Sequence, residues 1–165
     1  PNVTGVQTCA LPISLALFAQ LREVDEATWS AALPARTVTP AMRPAVVTEL
    51  LVGVPVPAGY DAGPVGATVA TVSRTSVAAD VAVSVACAWL DEWAGAGDAG
   101  DAVRREAAAD ALAGVSTWPI LDEARPGDGW DDGVLQMAAI VTDPDGDPSV
   151  GAAALDEQLI ACGLL

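Results

Sequence analysis

Residues 75–93 decide the fold, and they read Thr-Ser-Val-Ala-Ala-Asp-Val-Ala-Val-Ser-Val-Ala-Cys-Ala-Trp-Leu-Asp-Glu-Trp. At helical periodicity the polar positions fall on one narrow line, the polar stripe, formed by Ser76, Asp80, Ser84 and Asp91. Nearly all the other positions carry Val, Ala, Cys, Leu or Trp. A helix that is apolar over so much of its circumference is buried on most sides. We therefore predict a central helix over residues 75–93, with an apolar run too short to cross a membrane.

Helical spacing and capping residues predict an all-α fold of about six helices around this central one. The predicted helices are, in chain order, residues 15–33, a helix starting at Thr39-Pro40, the central helix with a break at 95–100, a helix from Asp98 or Asp101 to Gly114, a short helix starting at Thr117–Pro119, a helix from Asp128 to Val141, and a last helix from Ser149 to Cys162.

The segment Val54–Asp61 reads Val-Pro-Val-Pro-Ala-Gly-Tyr-Asp. Its alternating prolines remove amide donors and favour extended backbone, so it cannot be helical. We predict an irregular Pro-rich connector over residues 54–66. Residues 67–73 alternate weakly, which fits a short strand and an extended lead-in equally well.

Val3–Ile13 reads Val-Thr-Gly-Val-Gln-Thr-Cys-Ala-Leu-Pro-Ile, which is what one frame of a common short-read sequencing adapter encodes. An ordinary N-terminal extension is the alternative explanation. We interpret residues 1–13 as an adapter artefact, expect them to be disordered, and leave Cys9 out of the cysteine count. Residues 14–165 have the size of one domain. We expect a single helical domain there, whose first helix, at Leu15–Leu21, continues a lost membrane helix.

The charge balance restricts the partners of the chain. It carries 22 acidic and 7 basic residues, for a net charge of −15. Such a surface repels phosphate backbones and anionic lipid headgroups, so we expect no nucleic-acid partner. Contact with a membrane is expected only through the lost N-terminal segment.

The chain contains no His, which removes the common nucleophile-activating dyads and most zinc and iron sites. The run Asp143–Asp147 matches the opening of an EF-hand, but Pro148 and Ala154 stand where Gly and Glu are required. Adjacent acidic residues on a helix point in different directions, so pairs such as Asp91-Glu92 do not form catalytic pairs. We predict no catalytic residue, no metal site and no cofactor.

Two cysteines remain, Cys87 and Cys162. Counting alone leaves one disulfide outside the cytoplasm and two buried free thiols equally open. Each cysteine shares a helix face with apolar residues, Cys87 with Val83 and Leu90 and Cys162 with Leu155 and Leu159. Both thiols are therefore expected to point into the core from neighbouring helices. We predict that they bond, which would stabilise the fold by roughly 4 kcal/mol.

Five tryptophans anchor a core otherwise made of small side chains. Trp89 and Trp93 are four residues apart and share one helical face, where they could form the wall of a ligand pocket. A place in the core is the more common outcome for such a pair, and we expect it here. The same expectation applies to Trp29, Trp118 and Trp130.

The run Val85–Trp93, the acidic Ala-rich helix after it, Ser116–Leu121 and a Cys near the C-terminus together resemble a group of uncharacterised proteins of high-GC Gram-positive bacteria. The segment Val54–Asp61 is similar to theirs as well. The resemblance implies an N-terminal membrane helix followed by one small extracytoplasmic domain, and it carries no catalytic motif.

Two functional hypotheses follow. The first is a non-enzymatic, extracytoplasmic helical domain that is tethered to the membrane, associated with the envelope and able to bind an unknown protein partner. The second is a carboxylate-dependent hydrolase or a small-ligand binder that uses the Tyr60-Asp61 loop near Trp89. A simpler role for Tyr60 is that its ring closes the edge of the core. A concave pocket beside Tyr60 would favour the second hypothesis.

Overall fold

The computed structural model describes residues 20–124, 130–142, 157 and 160–163. The chain divides into two units, Pro1–Ala35 and Arg36–Leu165. The expected artefact over residues 1–13 lies outside the described residues, as do residues 14–19 of the predicted domain. The single-domain assignment for residues 14–165 stays a prediction.

In the first unit, helix α1 spans Glu26–Ala31, and Asp25 caps it by accepting a 2.7 Å hydrogen bond from the amide of Thr28. The predicted helix over residues 15–33 is wrong for residues 20–25, which are not helical. None of the residues of α1 is buried, and Trp29 is 46% exposed. Short helices are marginal without tertiary burial, so helical spacing alone does not extend this one.

The second unit contains six further helices in its described part, and the all-α prediction is confirmed. They are α2 (Arg43–Leu50), α3 (Gly63–Gly66), α4 (Arg74–Asp98), α5 (Ala102–Ala113), α6 (Ile120–Ala124) and α7 (Trp130–Thr142), with a 3₁₀ turn at Val115–Thr117. Strands β1 (Thr37–Val38) and β2 (Val72–Ser73) pair antiparallel, with Thr37 opposite Ser73. The described residues therefore form seven helices, one more than predicted.

Helix α4 is the predicted central helix. It packs against α2, α5, α6 and α7, and its buried face runs from Val77 to Ala96. Ser73 caps its start by accepting a hydrogen bond from the amide of Ser76. The predicted break at Gly95 is wrong, because the helix continues to Asp98 and the chain turns at Gly100, which has a positive φ of 68°. Ala96 is fully buried, and its packing offsets the low helix propensity of the glycines around it.

The helix boundaries agree with the predicted capping residues at two of three sites. Asp101 caps α5 by accepting from the amide of Arg104, and α5 ends before Gly114 as predicted. The predicted start at Thr39-Pro40 is early. The carbonyl of Thr39 accepts from the amides of Met42 and Arg43 in a preceding turn, and α2 begins at Arg43.

The connector is extended over residues 54–57, as the prolines predict. Its end differs from the prediction, because Gly63–Gly66 forms the one-turn helix α3. Residues 67–71 are irregular, and the strand option holds only for Val72–Ser73.

The tryptophans differ in burial. Trp118 is 3% exposed and lies in the core as expected, whereas Trp29 does not. Trp89 and Trp93 are half-buried at the edge of the core, and the side chain of Trp130 lies outside the described residues. None of the helices in the described part of the chain has the length and apolarity that a membrane span requires.

Candidate functional site

An open pocket of about 570 Å³ lies along the polar stripe of α4. Three parts of the second unit form its walls: the end of the Pro-rich connector, the stripe side of α4, and two residues near the C-terminus. The lining residues are Gly59, Tyr60, Asp61, Asp80, Val83, Ser84, Cys87, Ala88, Asp91, Ala161 and Cys162.

Tyr60 joins the connector to α4. Its phenolic hydroxyl donates a 3.0 Å hydrogen bond to the Ser84 hydroxyl, and its half-buried ring packs against the core. The turn that positions it is closed by a bond from the Tyr60 amide to the Pro57 carbonyl. Gly59 provides the positive φ of 83° that this turn needs. Tyr60 therefore covers the edge of the core and lines the pocket as well.

Asp61 is the second residue of the predicted loop, and it faces the pocket from an exposed position. Its Oδ1 accepts a 2.8 Å hydrogen bond from the amide of Gly63, in the turn that starts α3. A Cβ atom at Gly63 would lie 2.9 Å from Asp61 Oδ1, so glycine is required for this approach.

Asp80 is held at the pocket wall by a buried arginine that sequence reasoning did not single out. Arg43 is 1% exposed. Its Nη2 donates to Asp80 Oδ2 at 2.5 Å, and its Nε donates to the Val65 carbonyl at 2.7 Å. The Asp80 side chain stays 45% exposed. Arg43 thus ties α2 to α3 and α4 and fixes one carboxylate of the stripe.

Cys87 and Cys162 lie at disulfide distance, with Sγ atoms 2.00 Å apart and Cα atoms 5.6 Å apart. The Cα separation lies within the range that a disulfide bridges. Both cysteines are half-buried, so the expectation that the thiols point deep into the core is wrong. They lie instead in the pocket wall, where their pairing holds Ala161 and Cys162 against α4.

Trp89 is not part of the pocket. Its indole Nε1 donates a 2.9 Å hydrogen bond to the Pro55 carbonyl, so it fixes the connector from the neighbouring side of α4. The expected wall of Tyr60 and Trp89 is therefore corrected to one of Tyr60, Ser84 and the carboxylates. Trp93 packs under Arg105, whose guanidinium carbon lies 4.3 Å from the ring centre.

The pKa values of three carboxyl groups away from the pocket are displaced. A hydrogen bond from Arg74 lowers the pKa of Glu123, one from Arg104 lowers that of Glu92, and one from Thr28 lowers that of Asp25. A general acid needs a raised pKa, so these groups have the opposite character. Within the described ranges, no three Asp, Glu or Cys side chains gather closely enough to hold a metal ion. The run Asp143–Asp147 lies outside those ranges.

Comparison of the chain with models of known protein families, with curated proteins and with solved structures gives no match. The fold and the pocket therefore define the class of this protein by themselves: an acidic, all-α unit with a cysteine pair and a lateral pocket.

Proposed function

We propose that this chain is a non-enzymatic helical domain that works outside the cytoplasm, tethered to the membrane and serving as an interaction module at the cell envelope. The observation that carries the proposal is the Cys87–Cys162 pair. Disulfides persist in oxidising compartments and are rare in the cytoplasm of mesophilic cells. The resemblance to membrane-anchored proteins of high-GC Gram-positive bacteria points the same way.

Thiol trapping in intact cells of the native host tests the compartment. A membrane-impermeant maleimide is added before lysis, and a second, heavier maleimide is added after denaturation. We expect neither reagent to label Cys87 or Cys162 unless a reductant is added first. A Cys87→Ser variant is the matched control, because it leaves Cys162 free to react. Two thiols labelled only after lysis would contradict an extracytoplasmic location.

Fractionation of the same cells tests the tether. The protein should remain with membranes after a carbonate wash and should be cleaved by a protease added from outside. Protection from that protease in intact cells, or release into the carbonate supernatant, would contradict the tethered topology.

We propose as a second candidate that the pocket beside Tyr60 binds a small ligand. A volume of about 570 Å³ lies within the range of small-molecule sites. The polar atoms of Tyr60, Ser84 and Asp80 come from two different elements and meet at this one concave surface. A binder is favoured over a carboxylate-dependent hydrolase because the displaced carboxyl pKa values are lowered and lie elsewhere.

Nuclear magnetic resonance with a small fragment library tests this candidate. Fragments that bind the pocket should shift the Tyr60 and Ser84 resonances and leave those of the opposite end of α5 unchanged. Their effect should weaken in Tyr60→Ala, and the Trp89→Phe variant is the control on the neighbouring face. Shifts spread evenly over the surface would contradict a binding pocket.

A further inference from the structure

We infer that the pocket beside Tyr60 takes a small organic cation, such as a quaternary or primary ammonium compound. The inference rests on the second candidate function and adds the chemical class of its ligand. Three features of the pocket carry it: its charge, the fixed position of one carboxylate, and the apolar surface between the carboxylates.

The charge of the pocket wall is negative. Asp61 enters from the connector, while Asp80 and Asp91 stand at two levels of the polar stripe. The described lining includes no Arg side chain, and Arg43 reaches Asp80 from the buried side. Arg43 balances one of the three charges, which leaves the wall with a net negative charge. The net charge of −15 on the whole chain adds an attractive field for cations.

The position of Asp80 is fixed before any ligand arrives. A buried guanidinium is costly unless it is paired, so Arg43 and Asp80 constrain each other strongly. In the described part of the chain, Nη1 of Arg43 has no hydrogen-bond partner. Hydrogen bonding to protein atoms therefore does not fully explain the burial of this arginine, whereas its bond to Asp80 holds a carboxylate at the pocket surface.

The spacing of the carboxylates and the surface between them favour an organic cation over a metal ion. Calcium and magnesium require several oxygen ligands converging on one point. The described carboxylates form no such group. Between them the pocket is lined by Val83, Ala88 and the half-buried cysteine pair, which can cover the methyl or methylene groups of an alkylammonium ion.

A matched pair of probes tests the charge requirement. Choline carries a trimethylammonium group, and 3,3-dimethylbutan-1-ol is its neutral isostere. Each is titrated into the oxidised protein at constant ionic strength, with sodium chloride replacing choline chloride, and the amide shifts of α4 are followed. We expect choline to shift residues around Ser84 with a dissociation constant of about 1 mM, and the alcohol to bind at least about tenfold more weakly.

Two carboxamide variants locate the charge. Asp91 lines the pocket from an exposed position, and Asp110 is an exposed carboxylate on α5 outside the pocket lining. Asp91→Asn should weaken choline binding by about fivefold, while Asp110→Asn should leave it unchanged. The melting temperature of each variant reports that the fold is intact.

Each outcome has a defined reading. Equal binding of choline and the alcohol in the pocket would keep the ligand-binding function but overturn the cation. Equal weakening by Asp91→Asn and Asp110→Asn would show that the ion follows the overall charge of the protein, which also overturns the proposal. Binding of neither probe would overturn the cation class, and the fragment screen would then decide on the pocket itself.

Discussion

Arg43 shows how a single charged residue organises the second unit. Its guanidinium is buried, whereas its partner Asp80 keeps nearly half of its side chain in solvent. The two residues are 37 positions apart, and one lies in α2 while the other lies in the stripe of α4. Sequence reasoning places Arg on the surface by default, and no local pattern announces a pair this distant. The buried cation could therefore not be predicted.

The burial difference within this pair predicts an asymmetry between its two deletions. Asp80→Asn leaves a buried positive charge unpaired, and we expect a loss of about 3 kcal/mol of unfolding free energy. Arg43→Met leaves only Asp80, which water can hydrate, and should cost less. Urea unfolding at neutral pH measures both. Asp91→Asn is the control on the same helix and should change stability by less than about 0.5 kcal/mol. A larger loss in Arg43→Met than in Asp80→Asn would contradict the burial of the charge.

At the scale of elements, the apolar pattern of residues 75–93 predicts α4 well because most positions of that helix meet a neighbouring helix. The same spacing misleads for residues 15–33, where Leu21 and Val24 are exposed. Periodicity predicts a helix only where a partner surface buries the periodic face. The glycines after Trp93 mislead in the opposite direction, since a helical glycine costs only about 1 kcal/mol and burial of Ala96 offsets it.

Two glycines at the end of α4 therefore predict opposite effects of the same substitution. A Cβ atom at Gly95 would meet nothing within 4 Å, and the backbone there is helical. Gly95→Ala should stabilise the protein by about 0.5–1 kcal/mol. Gly100→Ala should destabilise it by about 1 kcal/mol, because φ is +68° there. Thermal unfolding of the two variants checks both signs. Destabilisation by Gly95→Ala would mean that α4 ends earlier.

Arg74 joins three helices at the start of α4. Its Nε and Nη2 donate to the two carboxylate oxygens of Glu123 in α6, at 2.6 and 3.1 Å, and its Nη1 donates to Glu49 in α2 at 2.8 Å. The bond to Glu123 lowers the pKa of that carboxyl group below its ordinary value and raises the pKa of Arg74. The ion pair holds the connection between α2, α4 and α6.

This pairing predicts acid sensitivity. A carboxyl group with a pKa lower in the folded state than in the unfolded state stabilises the fold above the unfolded pKa, and the effect is lost as the pH falls through the folded pKa. Unfolding free energy should thus fall between about pH 5 and pH 3. Glu123→Gln should lose about 1 kcal/mol at pH 7 and show a shallower fall with acid. Urea titrations at several pH values measure the slope. Glu106→Gln, on the exposed face of α5, should keep the wild-type slope, and an unchanged slope in Glu123→Gln would refute the assignment.

At the scale of the whole molecule, the pocket forms where long-range contacts bring three separate segments together. The sequence singled out Tyr60 and Asp61 for their place in a Pro-rich connector, and both line the pocket. The stripe residues Asp80, Ser84 and Asp91 were recognised as polar but not as a binding surface. That role depends on which segment lies above the stripe, and the amino-acid pattern does not encode this separation in any local way.

The cysteine pair is the longest-range covalent constraint in the described structure, with 75 positions between its members. In the chain-entropy model, closing a loop of this length stabilises the folded state by roughly 4 kcal/mol. Removing the bond should therefore lower the urea midpoint strongly, both in Cys87→Ser and after treatment of the wild-type protein with dithiothreitol. The reductant should have no further effect on Cys87→Ser, which makes the variant its own control. Because the bond also holds Ala161 and Cys162 at the pocket wall, amide hydrogen exchange at residues 160–163 should rise more than exchange in α4. Equal stability with and without reductant would show that the two cysteines are not bonded in the folded protein.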